Sequence, residues 1–316
     1  MKQLKKEGVF ENHPRFMIVT TPCSKSWNEW AENNNIKIVT TPVGIKEIVT
    51  IAKKVEKQIL ENKEKDVVVE DIYGDEINLG INPRMLFGGE ESGGMIIGLE
   101  DFTESKGGRK AFTMREKSAG EASVIATALA AHLFLEKKTI AEYLEETFKE
   151  NSVVSTIYLR DDIVYYNESE PDPVKLLKTK KEGEVKRDKI DTFYLSMVLA
   201  FREKKISIEQ IRNILGEAIP DLDFSGLTNI RFTGEATFFQ FDNNMFIQIR
   251  RSGTDAKMRG YAGGPDKARC TNYLNKLLHY SGERPDIYKN TVPAEFQEGV
   301  HARAQKIYLT YLYKGL

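Results

Sequence analysis

The stretch IVTTPCSKSWNEWAENNNIKIVTTP, Ile18–Pro42, decides the fold because it holds one pentapeptide twice. IVTTP runs from Ile18 to Pro22 and recurs from Ile38 to Pro42, 20 residues on. β-Branched residues favour extended backbone, and proline interrupts a ladder, so each copy predicts a short buried strand that stops at its proline. Between them Ser24 and Ser26 are candidate helix caps, and Trp27 and Trp30 share one helical face at i, i+3. Strand, helix and strand in so short a span predict a parallel βαβ unit.

The pattern extends in both chemistry and period. Ile45, Ile48, Val49, Ala52, Val55 and Ile59 follow helical spacing. DVVVEDIY (Asp66–Tyr73) predicts a strand, and MLFGGEESGG (Met85–Gly94) a strand that runs into a glycine-rich loop. Ser118–Glu136 is Ala-rich and apolar on more than one face, which predicts a buried helix. Thr139 with Glu142 three residues on forms a capping box. Residues 15–150 therefore predict an α/β domain with helices on both faces of its sheet.

Residues 151–222 read as a connecting segment. Tyr166–Lys189 is charged and contains two prolines, Pro171 and Pro173, which predicts an exposed excursion or linker. Helices are expected around Phe193–Glu203 and from Ser207, where Gln210 completes a second capping box. A boundary is expected near Asp221–Gly226. Residues 223–316 then change style. ATFFQF, DNN and MFIQIR (236–250) predict a hairpin whose turn tolerates positive φ. MRGYAGG predicts a further strand, Pro265 opens a helix to Leu278, and residues 292–313 form a terminal helix. The fold class expected is α/β: a three-layer α/β/α domain with a mixed sheet, followed by a smaller α+β domain.

The 316 residues carry 46 Lys plus Arg against 47 Asp plus Glu, a net charge of -1. A general nucleic-acid binder would show a basic excess, so small or neutral partners are favoured. Two cysteines, Cys23 and Cys270, give neither metal spacing nor a disulfide framework, which points to a reducing cytoplasm. The chain has no 18-residue apolar run, and MKQLKKEGVF is too polar for a signal peptide, so no membrane association is expected.

Against that neutral background IRRSGTDAKMRGY (Ile249–Tyr261) packs four cations, a serine, a glycine and a threonine into one loop. Gly253 allows close approach and unusual φ, so backbone N–H groups can converge on an anion. Hydroxyls add donors, and arginine matches phosphate bidentately. On the residues alone, a phosphate site and a solvated hairpin tip stand as equal readings. The second loop, Gly88–Gly94, places Glu90 and Ser92 two residues apart. That spacing suits a clamp for sugar hydroxyls, but on the residues alone a helix N-terminus that attracts acids is the favoured reading.

RRSGTDAKMRGY resembles the RPSGTEPKxRxY loop of the α-D-phosphohexomutases, the phosphoglucomutase and phosphomannomutase family. The resemblance implies phosphate contacts from Arg250, Ser252, Gly253 and Thr254, with Lys257 and Arg259 as weaker candidates. Arg251 stands in place of the family's Pro and Asp255 in place of its Glu. GGEESGG is similar to the family's GE(E or M)SGH sugar-specificity loop, which implies that Glu90 and Ser92 grip hydroxyls; Gly94 replaces the His. TPVGIK (Thr41–Lys46) resembles TPVGFK and implies Lys46 near the substrate. Arg115-Glu116-Lys117 stands where the family reads KDG, which makes Lys117 a site candidate.

The family's TASHNP-like phosphoserine loop and DGDGDR-like metal loop have no counterpart in the sequence. The resemblance therefore implies the C-terminal half of a phosphohexomutase, domains three and four, that binds hexose phosphate. No catalytic residue and no metal ligand are expected in this chain. The full enzyme would use Mg2+ and a hexose 1,6-bisphosphate, and its N-terminal domains would come from the same or a separate chain. The alternative is a stand-alone sugar-phosphate-binding protein or a subunit of a split enzyme.

Overall fold

The computed structural model describes residues 12–314, and the opening MKQLKKEGVF lies outside them. The chain divides into two units that meet in sequence at Val154 and Ser155. The first begins with the repeat. β1 (Arg15–Thr20), α1 (Ser26–Asn33) and β2 (Lys37–Thr41) form the expected βαβ unit, with β1 and β2 parallel and Ile18 beside Val39. α2 (Ile45–Glu61) follows, buried along Ile48, Ile51, Ala52, Val55 and Ile59. β3 (Asp66–Glu70) is a strand as expected, but it pairs only with β4 (Glu76–Ile81), in a separate hairpin.

β5 (Arg84–Gly89) returns to the main sheet parallel to β1, and β6 (Met95–Glu104) and β7 (Lys110–Thr113) extend it antiparallel. The order β2-β1-β5-β6-β7 is the mixed sheet that the sequence predicts. Met17, Val19 and Leu86 form one buried cluster with Ala31 of α1, and Trp27 meets Phe87 edge-on at 5.3 Å. α2 packs on the opposite face, where Ile48 lies against Gly88. Three layers result.

α3 (Ala119–Leu135) corrects the expectation of a buried helix. Only Leu133 is buried, while Val124, Phe134 and Leu135 are 70%, 81% and 80% exposed. An Ala-rich helix without polar face satisfies its own backbone wherever it lies, so composition signals an appetite for burial and not its fulfilment. α4 (Ile140–Glu150) carries the expected Thr139–Glu142 capping box. Among the described residues no single helix is long and apolar enough to cross a membrane.

The second unit spans Ser155–Tyr311. β8 (Ile157–Val164) opens it, then α5 (Pro173–Arg202) runs for 30 residues. Residues 173–189, expected as a linker, are thus the first half of a long helix. Asp172 caps it by accepting from Val174 and Lys175 N–H, and Pro173 occupies the first turn, where its missing donor costs nothing. α6 (Ile208–Ala218) has the expected Ser207–Gln210 capping box.

β9 (Leu227–Phe232), β10 (Ala236–Phe241), β11 (Phe246–Arg251) and β12 (Lys257–Gly264) are antiparallel, with Asn243 and Asn244 at φ 53° and 58° in the β10–β11 turn. β8 hydrogen-bonds to β12 and completes the sheet β8-β12-β11-β10-β9. That long-range pairing moves the observed division to residues 154–155, away from Asp221–Gly226. α7 (Lys267–Leu278) covers the sheet together with the apolar half of α5, and Tyr194, Phe239, Ile247 and Leu277 share one core. The tail forms α8 (Asp286–Thr291), α9 (Ala294–Gln297) and α10 (Val300–Tyr313), three helices where one was expected; Tyr288, Phe296 and Val300 join the same core.

Candidate functional site

Each unit presents its own cluster. In the first, the repeat sets the stage. β2, β1 and β5 run parallel, so their carboxyl ends, Thr41, Thr20 and Gly89, lie together. Loops after the carboxyl ends of parallel strands are the usual ligand-binding edge of such sheets. Here they are the Pro22, Pro42 and Glu90 loops.

Glu90 is 6% exposed, and Lys117 Nζ lies 2.8 Å from its Oε2. Ser92 Oγ donates to the same oxygen at 3.4 Å. The turn is closed by Glu90 N–H to Gly94 O at 2.9 Å and Gly93 N–H to Glu90 O at 3.1 Å. A Cβ at Gly94 would sit 2.6 Å from Glu90 Oε2 and 2.9 Å from Lys117 Cδ, so the glycine is what admits the ion pair. Next to it Thr20 Oγ1 donates to Glu91 at 3.0 Å. Burial pushes the Cys23 thiol up to about 12, which keeps it protonated and inert at neutral pH. Glu90, Ser92 and Lys117 are thus brought together. Lys46 is not in contact with them: its side chain is 70% exposed, 3.6 Å from Glu47.

In the second unit the sheet aligns the cations. Arg250 on β11 stands opposite Arg259 on β12, and next to Ala236 on β10. Arg250 is 9% exposed, and its Nη1 lies 3.0 Å from Glu235 Oε2. Arg259 Nε is 3.9 Å from Asp162 Oδ2, beyond hydrogen-bond reach. The Nε atoms of both arginines are buried without a hydrogen-bond partner.

The loop between the two strands is tied down from one side. Ser252 N–H bonds to Lys257 O at 2.9 Å, and Lys257 N–H to Asp255 O at 2.8 Å. Among the described residues, the N–H groups of Gly253, Thr254 and Asp255 have no acceptor. Gly253 and Thr254 are exposed, and Ser252 is buried. Gly253 does not take the positive φ that its residue type would permit; what its missing side chain provides is open space, with no atom within 4 Å of a Cβ built there.

Asp255 turns back into the fold. It accepts from Tyr166 Oη at 2.6 Å, from Lys180 at 3.2 Å and from Lys257 at 3.3 Å. The Tyr166 bond, with the two lysines behind it, holds the Asp255 carboxyl far below the usual carboxylate range, and the same bond raises Tyr166 to about 12. Lys257 is also 2.6 Å from Glu168, so its charge is taken up by two acids. Arg251 reaches Asp188 at 3.4 Å and Asp191 at 3.6 Å. The sequence reading missed the groups beneath the loop: Arg187 on α5 donates to Ser252 O and Asp255 O. No local motif marks it, since it sits 65 residues from Ser252 in a charged run.

Residues 1–151 match the family model for phosphoglucomutase/phosphomannomutase, alpha/beta/alpha domain III. Among solved structures the chain is similar to a putative phosphomannomutase from Thermus thermophilus, at 13% identity over 88% of this chain and 37% of that one, with TM-score 0.39. It is similar to the open form of pp63/parafusin, a phosphoglucomutase from Paramecium, at 16% identity over 92% and 41%, with TM-score 0.46. A phosphoglucomutase/phosphomannomutase family protein from Burkholderia thailandensis gives 11% identity over 87% and 39%, with TM-score 0.39. The chain thus spans 37% to 41% of the length of these three structures. No curated protein gives a significant match.

Proposed function

We propose that this chain, whose residues 1–151 match an alpha/beta/alpha domain III of the phosphoglucomutase/phosphomannomutase family, is the sugar- and phosphate-binding C-terminal half of a phosphohexomutase. The complete enzyme would interconvert hexose 1-phosphate and 6-phosphate through a 1,6-bisphosphate. The observation that carries the reading is the loop at Ser252–Asp255. It offers three successive unpaired N–H groups beside two arginines whose Nε donors are unpaired. Backbone donors and arginine forks together suit a phosphate dianion, whose oxygens accept from several directions at once.

In the first unit Glu90 and Ser92 would hold adjacent sugar hydroxyls. A carboxylate only accepts and a hydroxyl does both, so the pair reads a hydroxyl's donor and acceptor together. Lys117 keeps the Glu90 carboxylate aimed. In the second unit Arg250, Ser252, Gly253 and Thr254 would hold the phosphate that is not reacting. Lys257 is a weaker candidate, being occupied by Glu168 and Asp255. Lys46, mostly exposed and 3.6 Å from Glu47, has the freedom to reach a ligand.

The family resemblance implies Mg2+, which would neutralise charge on a transferring phosphoryl group. Among the described residues no group of three His, Cys, Asp or Glu could hold a metal ion. Asp71 is engaged by Tyr73 and Asp75 N–H, and Asp223 by Ser225. These residues do not fit a magnesium site. We propose that the pure chain binds without turnover, and that N-terminal domains would bring the phosphoserine and the metal.

The test is calorimetric titration with glucose 1,6-bisphosphate, mannose 6-phosphate and inorganic phosphate, on the native chain and on Arg250→Ala. Binding near 1 mM, about 4 kcal/mol, is expected, and at least a tenfold loss in the variant. A native chain silent at tens of millimolar ligand, or an Arg250→Ala variant that binds as the native chain does, overturns the reading.

A further inference from the structure

The anion loop has a second layer, and it comes from the segment that looked like a linker. Arg187 sits on α5 and is buried. Its Nη1 donates to Ser252 O at 3.1 Å and to Asp255 O at 2.6 Å. Those carbonyls bracket Gly253 and Thr254. Its Nε donates to Asp188 at 2.8 Å, and Asp188 also meets Arg251 at 3.4 Å, so the guanidinium is itself held in place. We propose that Arg187 is the positioning residue of the phosphate site: it draws both carbonyls inward and so leaves the N–H groups of Gly253, Thr254 and Asp255 free for the ligand. This inference rests on the phosphate-binding reading of that loop.

Three physical points carry it. A loop N–H stays available to a ligand only if no nearby carbonyl takes it, and Arg187 holds the carbonyls on either side of Gly253 and Thr254. A buried cation bonded to a carbonyl is a strong, charge-assisted donor, so the loop is fixed before ligand arrives and less ordering remains to be done on binding. The helix can come this close because Gly183 lies one turn before Arg187. A Cβ there would stand 2.9 Å from Tyr165 Cβ and 3.1 Å from Ala256 Cβ, at the foot of the loop.

The experiment uses the full chain, with Arg187→Met and Arg187→Lys, and inorganic phosphate as probe. Phosphate affinity is read by calorimetry and by the backbone amide resonances of Gly253 and Thr254, with the fold monitored by near-UV circular dichroism. Lysine can still donate to both carbonyls, so Arg187→Lys is expected within threefold of native, with both amides shifting on titration. Arg187→Met is expected to lose at least tenfold, with those amide shifts absent. Should the Met variant not fold, Arg187→Gln, which cannot supply two strong donors to that pair, carries the same comparison. A folded Met or Gln variant that binds within twofold of native overturns the inference alone, as does a lysine variant as impaired as the methionine one. A native chain that binds no phosphate overturns the inference and the loop's functional reading together.

Discussion

Lys117→Met tests whether the Glu90 cluster is held electrostatically. Among the described residues, the substitution leaves a carboxylate that is 6% exposed with only the Ser92 hydroxyl, at 3.4 Å, for a side-chain partner. Breaking a fully buried pair costs about 3–5 kcal/mol, and an exposed one about 0–1. Lys117 is half-exposed, which places this pair between the limits, at about 1–2 kcal/mol. Gly94→Ala reaches the same contact from the other side. Its Cβ would lie 2.6 Å from Glu90 Oε2 and 2.9 Å from Lys117 Cδ. The 2.6 Å contact forces the carboxylate itself to turn away, which takes it off Lys117 Nζ, so the alanine should cost at least the same ~1–2 kcal/mol. Because both variants break the same ion pair, the double variant should cost little more than Gly94→Ala alone. Urea unfolding of the four proteins, with m-values compared, measures this cycle. Additive losses, or a Lys117→Met within about 0.3 kcal/mol of native, would refute the argument that Gly94 exists to admit the ion pair.

Two further outcomes are expected. Tyr165, Tyr166 and Tyr280 are each raised to about 12, the first and third by burial and Tyr166 by its bond to Asp255. The folded chain therefore holds more protons than the unfolded one, whose tyrosines titrate near 10, and stability should fall as pH rises from about 10 to 12. A tyrosinate absorbance titration should show one late-titrating group fewer in Tyr166→Phe; an unchanged late phase removes the Asp255 bond as its cause. Thr139→Ala deletes the side-chain acceptor of the α4 capping box and should cost about 1 kcal/mol in thermal or urea unfolding. No measurable change would mean that α4 frays at that end.

What the sequence displayed was what is local. The IVTTP repeat, both capping boxes and the Asn243–Asn244 turn each specify their backbone within a few residues, and the structure follows them. Tyr166–Lys189 misled because charge and two prolines outweighed a signal that was also present: Asp172-Pro173 is a cap followed by a first-turn proline, ahead of a run rich in Lys, Glu and Leu. The end of β5 and the approach to α3 meet across 27 residues to form the Glu90–Lys117 pair, and β8 reaches β12 from the far side of α5. Nothing in either member of such a pairing names the other. Burial of α3 failed for a related reason, since an apolar helix states what it would gain and not which surface supplies it.

The four cations of the anion loop show most clearly what only a neighbour can decide. In sequence they are equal claims on one phosphate. In the fold Lys257 is taken by Glu168 and Asp255, and Arg251 by Asp188 and Asp191. Arg250 and Arg259 are left directly opposite one another on adjacent strands, each with an acid only on its outer side, Glu235 and Asp162. Like charges facing across a ladder destabilise it, by about 0.2–1 kcal/mol on the scale of such pairs. Buried, unpaired Nε donors add to that cost. A core free to choose would place a neutral residue at one of the two positions. An anion seated between them would turn both penalties into binding energy, and that is the physical reason for proposing this pair, beside the loop's N–H groups, rather than all four cations, as the charged part of a phosphate site.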